Sequence, residues 1–283
     1  MKTGTLYLVA TPIGNLQDIS LRALQVLKEV DLIACEDTRH TARLLTHFGI
    51  STPRESHHEH NEASHTSRLL NLLRSGQTIA LVSDAGVPLV SDPGHLLVSA
   101  CRKEGIPVIP VPGASAAVTA LSASGLPTDS FHFAGFLPSR PEARRRKVRE
   151  LSTIPSTLIL FEAPHRILAS LEDIAEILGP RQACLARELT KIHEEWICGT
   201  LQEILVTVQN RSGLRGEITL VIDRGTPPMQ EIACWSESIG KQLEEEVGRT
   251  GSTRNEALKS VARQRGISRR EAYRMLLKEK SGQ

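Results

Sequence analysis

The sequence predicts two α/β domains followed by a small helical module. Three observations carry that expectation. Short apolar runs of strand length alternate with helix-like periodic segments as far as residue 222. Segments rich in Gly and Pro follow several of those runs directly. Beyond residue 231 the strand signal stops and only helix punctuation remains. A length of 283 residues suits two domains of about 150 residues with an appendage.

In the first domain, residues 1–125, Thr5–Ala10 reads as a short buried strand, broken by Thr11-Pro12-Ile13-Gly14-Asn15. Ser20 can cap a helix through Leu21, Leu24 and Leu27. Leu32–Cys35 is the next strand, followed at once by Glu36-Asp37-Thr38-Arg39. Further strands are expected at Thr78–Ser83 and Val108–Pro110, with helices near 38–48, 62–74, 94–104 and 114–124. This alternation predicts a mainly parallel sheet.

The second domain, 126–225, begins after Ser124-Gly125-Leu126-Pro127. Its strands are expected at Phe131–Ala134, Thr157–Glu162, Ala183–Glu188, Glu195–Cys198 and Glu217–Ile222, its helices near 141–151, 165–178 and 200–209. Arg224-Gly225-Thr226-Pro227-Pro228 reads as a linker to a third part, 226–283. There, Thr253/Glu256 and Ser268/Glu271 are possible capping boxes, and Gly266 can end one helix before the next begins. Two short helices about a tight turn predict a helix-turn-helix-like pair.

Composition excludes several classes. No run of about 18 apolar residues exists, so no membrane span is expected. The apolar run before Thr11 is only five residues long, Leu6–Ala10, too short for a secretory core segment. Five widely spaced cysteines without a CxxC pair predict neither a disulfide scaffold nor a cysteine zinc site, and fit a reducing cytoplasm. Nine aromatic residues are too few for rows of base-stacking side chains.

The net charge of +2 hides two basic runs: six cations against two acids in 139–150, and ten against three in 249–280. A single such run usually forms a solvated helix face. Two of them, one on a helix pair, point to a polyanion and single out Arg144, Arg145, Arg146, Arg263, Arg269 and Arg270.

Three loops at successive strand ends, Thr11–Asn15, Ser83–Pro88 and Pro112–Ala116, fit a ligand-binding crevice. Glycine allows close backbone approach, and Asp84 can accept hydrogen bonds. None is a G-x-G-x-x-G or Walker loop, which excludes those nucleotide signatures. Glu36 and Asp37 beside Arg39 suit acid–base chemistry, or else acidic residues set against a helix dipole. His57-His58-Glu59-His60-Asn61-Glu62, with His65, lacks a cysteine and reads as a cleft loop rather than a zinc site. Lys191, near Glu188 and Glu194, can steady phosphate or simply pair with those acids; His165-Arg166 poses the same choice.

Seven motifs then occur in order: TPIGNLxD from Thr11, EDTR from Glu36, HEHNE from His58, SDAGVPLVSDPG from Ser83, VPGASA from Val111, FEAPHR from Phe161 and ARELTKxHE from Ala186. Together, over roughly residues 5–222, the chain closely resembles the bacterial 16S rRNA cytidine 2′-O-methyltransferases, with a weaker match through the C-terminal helices. That family belongs to the tetrapyrrole-methylase type, class III of the S-adenosylmethionine methyltransferases. The resemblance implies two α/β domains holding S-adenosyl-L-methionine in the cleft between them, and a homodimer acting on 16S rRNA or the 30S subunit. By motif position it assigns Pro12, Ser83, Asp84, Val87, Ser115, Ala116, Ala163 and Leu189 to the donor. The loop reads Asp-Ala-Gly where tetrapyrrole enzymes usually have Gly-Asp-Pro, which weakens any transfer of tetrapyrrole contacts.

The expected reaction methylates a ribose 2′-hydroxyl. Glu36 or Asp37 is the expected proton acceptor, with Arg39 and Lys191 orienting RNA phosphate. No metal is expected, because a sulfonium donor is already activated. Two rivals are a tetrapyrrole methylase, which has no need of a basic helix pair, and a non-catalytic RNA-binding protein, against which the glycine loops argue.

Overall fold

The computed structural model describes residues 3–58, 62–211, 213–225, 238–265, 267 and 269–281, with backbone alone at 62–64, 263, 264, 278, 280 and 281. Met1–Gly225 form one compact unit and Thr226–Gln283 a second.

The larger unit opens with β1 (Leu6–Val9), α1 (Leu21–Glu29), β2 (Leu32–Cys35), α2 (Thr38–His47), β3 (Arg54–Ser56), α3 (Glu62–Arg74), β4 (Ile79–Val82), α4 (His95–Lys103), β5 (Val108–Val111) and α5 (Ala116–Ala123). Its five strands are all parallel, in the order β3-β2-β4-β1-β5. Ser20 caps α1 as its residue type requires, accepting from the Ala23 amide at 3.1 Å. Both faces of the sheet are covered: Leu6, Leu69, Leu73 and Leu97 pack on one, Val9, Leu27, Ile33 and Leu45 on the other. β3 was not expected. Its sequence, Arg-Glu-Ser, is polar because it is an edge strand.

The chain continues through β6 (Phe131–Phe136), α6 (Pro141–Ser152), β7 (Thr157–Glu162), α7 (Ile167–Leu178), β8 (Gln182–Arg187), β9 (Glu195–Thr200), α8 (Leu201–Gln209) and β10 (Ile218–Ile222). This second sheet is mixed, in the order β6-β7-β10-β8-β9. β6 and β7 are parallel, while β10 enters antiparallel between β7 and β8. α5 ties the two sheets together: its Ala117, Ala120 and Leu121 pack with Ile13 against Ile159, Ala186, Leu189 and Val221. That shared core is why the two α/β halves form one compact unit.

Two expectations need correction here. Cys184 and Cys198 face each other across the antiparallel β8–β9 register and form a disulfide, although 14 residues separate them. Local spacing carries no sign of such a cross-strand pair. Cys35 and Cys101 are free and buried; Cys234 lies outside the described residues. The densest basic run also differs from its expected role. Arg144 is 6% exposed on the inner face of α6 and donates to Asp173 of α7 at 2.6 Å. Arg145 bridges Asp173 and Glu176. These two guanidiniums hold α6 on α7 and are not presented to a polyanion; Arg146 is exposed.

Among its described residues the smaller unit contains three helices where two were expected: α9 (Ile239–Thr250), α10 (Arg254–Gln264) and α11 (Arg269–Ser281). Ile239, Leu243, Leu258, Val261 and Leu276 form its own core. The Thr253/Glu256 capping interaction is present, with the Thr253 amide donating to Glu256 at 3.0 Å. The expected linker Thr226-Pro227-Pro228, Gly266 and the Ser268 cap lie outside the described residues. No described helix is long and apolar enough to cross a membrane.

The Arg144–Asp173 pair makes a direct prediction. Asp173→Ala leaves a buried guanidinium without its acceptor and should lower stability to urea by about 3–5 kcal/mol. A midpoint unchanged from wild type would contradict the buried-pair assignment.

Candidate functional site

The site begins with a seam between loops. Thr11, just after β1, exchanges two backbone hydrogen bonds with Gly86, at 2.9 and 3.1 Å, and its hydroxyl donates to the Ser83 carbonyl. The next residues reach the second sheet. The Asn15 amide donates to Thr190 Oγ1 at 3.0 Å. A Cβ on Gly14 would stand 2.4 Å from Lys191 Cγ and 2.9 Å from the Leu189 carbonyl oxygen, so this crossing requires glycine. All four non-glycine residues with positive φ among those described, Leu89, Ser91, Glu188 and Thr190, lie in the two loops that flank this seam.

Two cavities open along it. The first, about 370 Å³, is lined by Asp84, Val87, Ser91, Asp92, Ser115 and Ala116 from the first sheet's loops. Phe136, Phe161, Glu162, Ala163 and Thr219 close it from the second sheet. Its volume lies in the range of small-molecule sites. The second, about 300 Å³, is lined by Pro12, Gly14, His40, Arg43, Ser83 and Lys191. The two adjoin, sharing Ile13, Asp84, Ala85 and Glu217.

Of the eight residues expected around a donor, Asp84, Val87, Ser115, Ala116 and Ala163 line the first cavity. Pro12 and Ser83 line the second. Leu189 lines neither and belongs to the core between the sheets. The motif position is thus one of support, because the Leu189 side chain packs inward.

The expected acid–base group divides in two. Asp37 is the N-cap of α2: its Oδ1 accepts from the Arg39 amide at 2.7 Å, and the Arg39 guanidinium lies 3.4 Å away. Those hydrogen bonds hold its carboxyl below the usual range, which makes it a weak base. Arg39 is 91% exposed. Glu36 is shifted the other way, first by desolvation and then by the negative charges of Asp92, Asp84 and Asp37. The Asp37 amide donates to Asp84 at 3.1 Å, joining this strand end to the cavity loop.

Lys191 is anchored by Glu188 at 2.7 Å and Glu217 at 3.3 Å. Burial would lower its pKa, but these two carboxylates raise it overall, so it stays an ammonium. Arg146, Arg269 and Arg270 are exposed, and Arg269 lines a shallow depression with Lys259 and Glu256. The Arg263 side chain and His58–Glu62 from Glu59 to Asn61 lie outside what is described. His65 Nδ1 is 2.8 Å from the Ser56 carbonyl. No cluster able to hold a metal occurs among the described residues.

Sequence reasoning missed two acids. Asp92 sits in the Ser-Asp-Pro-Gly segment, which reads as an ordinary turn. Desolvation lifts its carboxyl to about 6, against a hydrogen bond from Ser83, and Asp84 adds to the rise. Glu162, in the FEAPHR motif, is 4% exposed. It accepts from the Ala163 amide at 2.8 Å and from the Ser170 hydroxyl, and pairs with Arg166 at 3.3 Å. Arg166 in turn donates to the Leu137 carbonyl beyond β6. This chain of contacts fixes the Ala163-Pro164 wall.

Two outcomes follow from these acids. The folded chain holds the Asp92 proton more tightly than the unfolded chain does. That contribution is full below the ordinary value of 3.8 and is lost as pH rises through about 6. Asp92→Asn should flatten this part of the pH–stability curve in urea titrations; an unaltered slope would contradict it. Glu162→Ala should weaken ligand binding in the first cavity, and Glu162→Gln should restore most of it, because the amide oxygen still accepts from Ala163. Equal binding by both variants and wild type would show that the wall holds itself.

The chain matches the Tetrapyrrole (Corrin/Porphyrin) Methylases over residues 5–205. It is 48% identical to a ribosomal RNA small subunit methyltransferase I from Halalkalibacterium halodurans, covering 98% of this chain and 96% of that one. It is 52% identical to the protein of that name from Escherichia coli O157:H7, covering 78% of each. Among solved structures it is similar to a uroporphyrin-III-C-methyltransferase from Thermus thermophilus, with a TM-score of 0.55, 26% identity, and coverage of 78% of this chain and 94% of that chain. Two sheets joined by one core, loops meeting at strand ends and a match over most of the chain agree: the chain belongs to the tetrapyrrole methylase family.

Proposed function

We propose that this chain transfers the methyl group of S-adenosyl-L-methionine to the ribose 2′-hydroxyl of a cytidine in 16S rRNA. The observation that carries the reading is the pair of adjoining cavities. The first is framed by the carboxylates Asp84 and Asp92, which suit a ligand bearing sulfonium and ammonium charges. The second carries His40, Arg43 and Lys191, which suit a phosphate-bearing acceptor. The rRNA-methylating relatives support the acceptor class over a tetrapyrrole.

The two α/β halves, 1–125 and 126–225, each supply one wall of the donor cavity. Small side chains at Ala116 and Ala163 leave it room, and Asp84 stands where the cavities meet. Bound there, the donor supplies an activated methyl group: its carbon–sulfur bond breaks as the oxygen–carbon bond forms, and sulfur keeps the electron pair. The chain's task is to align the hydroxyl and take its proton. The carboxylates of Glu36, Asp84 and Asp92 serve that task better than Asp37, which is committed to capping α2. Lys191 orients phosphate from its two-carboxylate mount. Arg146, Arg263, Arg269 and Arg270 add phosphate contacts farther out. In this reading the protein works as a cytoplasmic homodimer on 16S rRNA or the 30S subunit, and no metal takes part.

The test incubates the protein with labelled donor and either 30S subunits, free 16S rRNA or tetrapyrrole precursors. Label should enter RNA alone, as 2′-O-methylcytidine. Asp84→Ala and Ala116→Phe should each weaken donor binding in calorimetry while the far-UV dichroism stays native. Label in a tetrapyrrole, or unchanged donor affinity in both variants, would overturn the reading.

A further inference from the structure

The helix α2 carries no carboxylate: its ten residues are Thr-Arg-His-Thr-Ala-Arg-Leu-Leu-Thr-His. Its inner face is Thr41, Leu44 and Leu45, all buried: Leu45 in the core on the first sheet, Thr41 and Leu44 lining the second cavity. Its outer face presents Arg39, His40, Arg43, Thr46 and His47. Spacings of three, four and seven place Arg39, Arg43 and Thr46 in one line along the helix, with His40 and His47 beside it. Arg54, on the neighbouring edge strand, donates to the Thr38 carbonyl at 3.1 Å and is exposed there too. Of the acids at this end, Asp37 is occupied as the cap, and Glu36 lies before it at the end of β2.

Arg43 differs from the other two arginines here, Arg39 and Arg54, which are bonded to Asp37 and to the Thr38 carbonyl. It makes no hydrogen bond or ion pair among the described residues, whereas Arg144, Arg145 and Lys191 are all paired within the fold. It lines the second cavity together with His40 and Lys191. Holding an unpaired cation at the mouth of a polar cavity gains nothing for stability. It gains a ready phosphate contact, and guanidinium can take two phosphate oxygens at once.

We propose that the second cavity seats the acceptor nucleotide and that Arg43 grips its adjoining phosphate, with the flanking RNA strand running across the outer face of α2 over Arg39 and His47. The assignment rests on the rRNA reading above and adds to it a specific strand path. The polyanion matches a helix face with Arg39, Arg43 and two histidines, whose accompanying acid, Asp37, is held at the N-cap. The path is continuous with Asp84, where the two cavities adjoin, so a ribose seated in the second cavity brings its hydroxyl to the edge of the first. It also places the first RNA contacts on the larger unit, independent of the basic helices after residue 238.

The test compares wild type, Arg43→Gln and Arg43→Lys for binding of 30S subunits over a range of salt concentrations, with donor binding measured in parallel. Arg43→Gln should bind 30S subunits about tenfold more weakly, the worth of one charge-assisted contact. Its plot of log affinity against log salt should be shallower by about 0.7–0.9. Arg43→Lys should recover the slope and part of the affinity, because it restores the charge without the fork. KM for the subunit should rise more than kcat falls. Donor affinity and thermal midpoint should stay at wild-type values, since Arg43 lines only the second cavity and is exposed. If Arg43→Gln superimposes on wild type in slope and affinity while wild type methylates rRNA, this strand path is wrong and the rRNA reading stands. If wild type places no methyl in rRNA, both fall.

Discussion

The crossing of the Thr11–Asn15 loop between the two sheets is the constraint on which the rest depends. Thr11 is paired to Gly86 through two backbone hydrogen bonds, and three residues later Gly14 passes so close to Leu189 and Lys191 that no side chain fits. One short segment thereby fixes the Asp84 loop on one side and the Lys191 loop on the other. Ile13, between them, is buried in the core that α5 makes with β7, β8 and β10. The two sheets have large cores of their own, but their functional loops are positioned by this narrow contact. The positive backbone angles at Ser91, Glu188 and Thr190 are concentrated beside it, and hydrogen bonds hold the last two: the Glu188 amide donates to Glu217 and Thr190 Oγ1 accepts from Asn15.

Charge is sorted along the same line. Asp84 and Asp92 line the first cavity, where desolvation and the charge of Asp84 raise Asp92; Glu36, near both, is raised by desolvation and the same repulsion. Cations gather on the second. Coulomb attraction acting across such a short distance favours a cationic donor on one side and an anionic acceptor on the other. Lys191 shows how the cationic side is tolerated: Glu188 and Glu217 offset its burial. Glu162 shows a different use of an acid. It is enclosed by Ser170, Arg166 and the Ala163 amide, so its charge organises a wall and is not offered to a ligand.

Much of this was legible in the chain itself, and for identifiable reasons. The strands Leu6–Val9, Leu32–Cys35 and Ile79–Val82 are apolar runs cut by turn residues, so local pattern suffices. The cavity loops Asp84–Val87 and Ser115-Ala116 stood out through glycine and motif order. What escaped detection depends on long-range pairing. β10 between β7 and β8, and the Cys184–Cys198 pairing, follow from register that no local window contains. Arg144 looked like part of a polyanion surface because its run is basic; only the packing of α6 on α7 reveals Asp173 as its partner. Asp92 was hidden in a turn signature. α9 did carry a signal: Ser238 as a cap, then Ile239, Leu243 and Val247 at helical spacing.

The central claim is that the seam at Gly14 creates the donor cavity without being needed for either sheet to fold. Donor binding to Gly14→Val, measured by calorimetry beside far-UV dichroism, tests it most directly. The added side chain collides with the Leu189 carbonyl and Lys191, so the account predicts native dichroism with donor affinity lowered by tenfold or more, a change of about 1.4 kcal/mol. Affinity within twofold of wild type, with the fold intact, would contradict it.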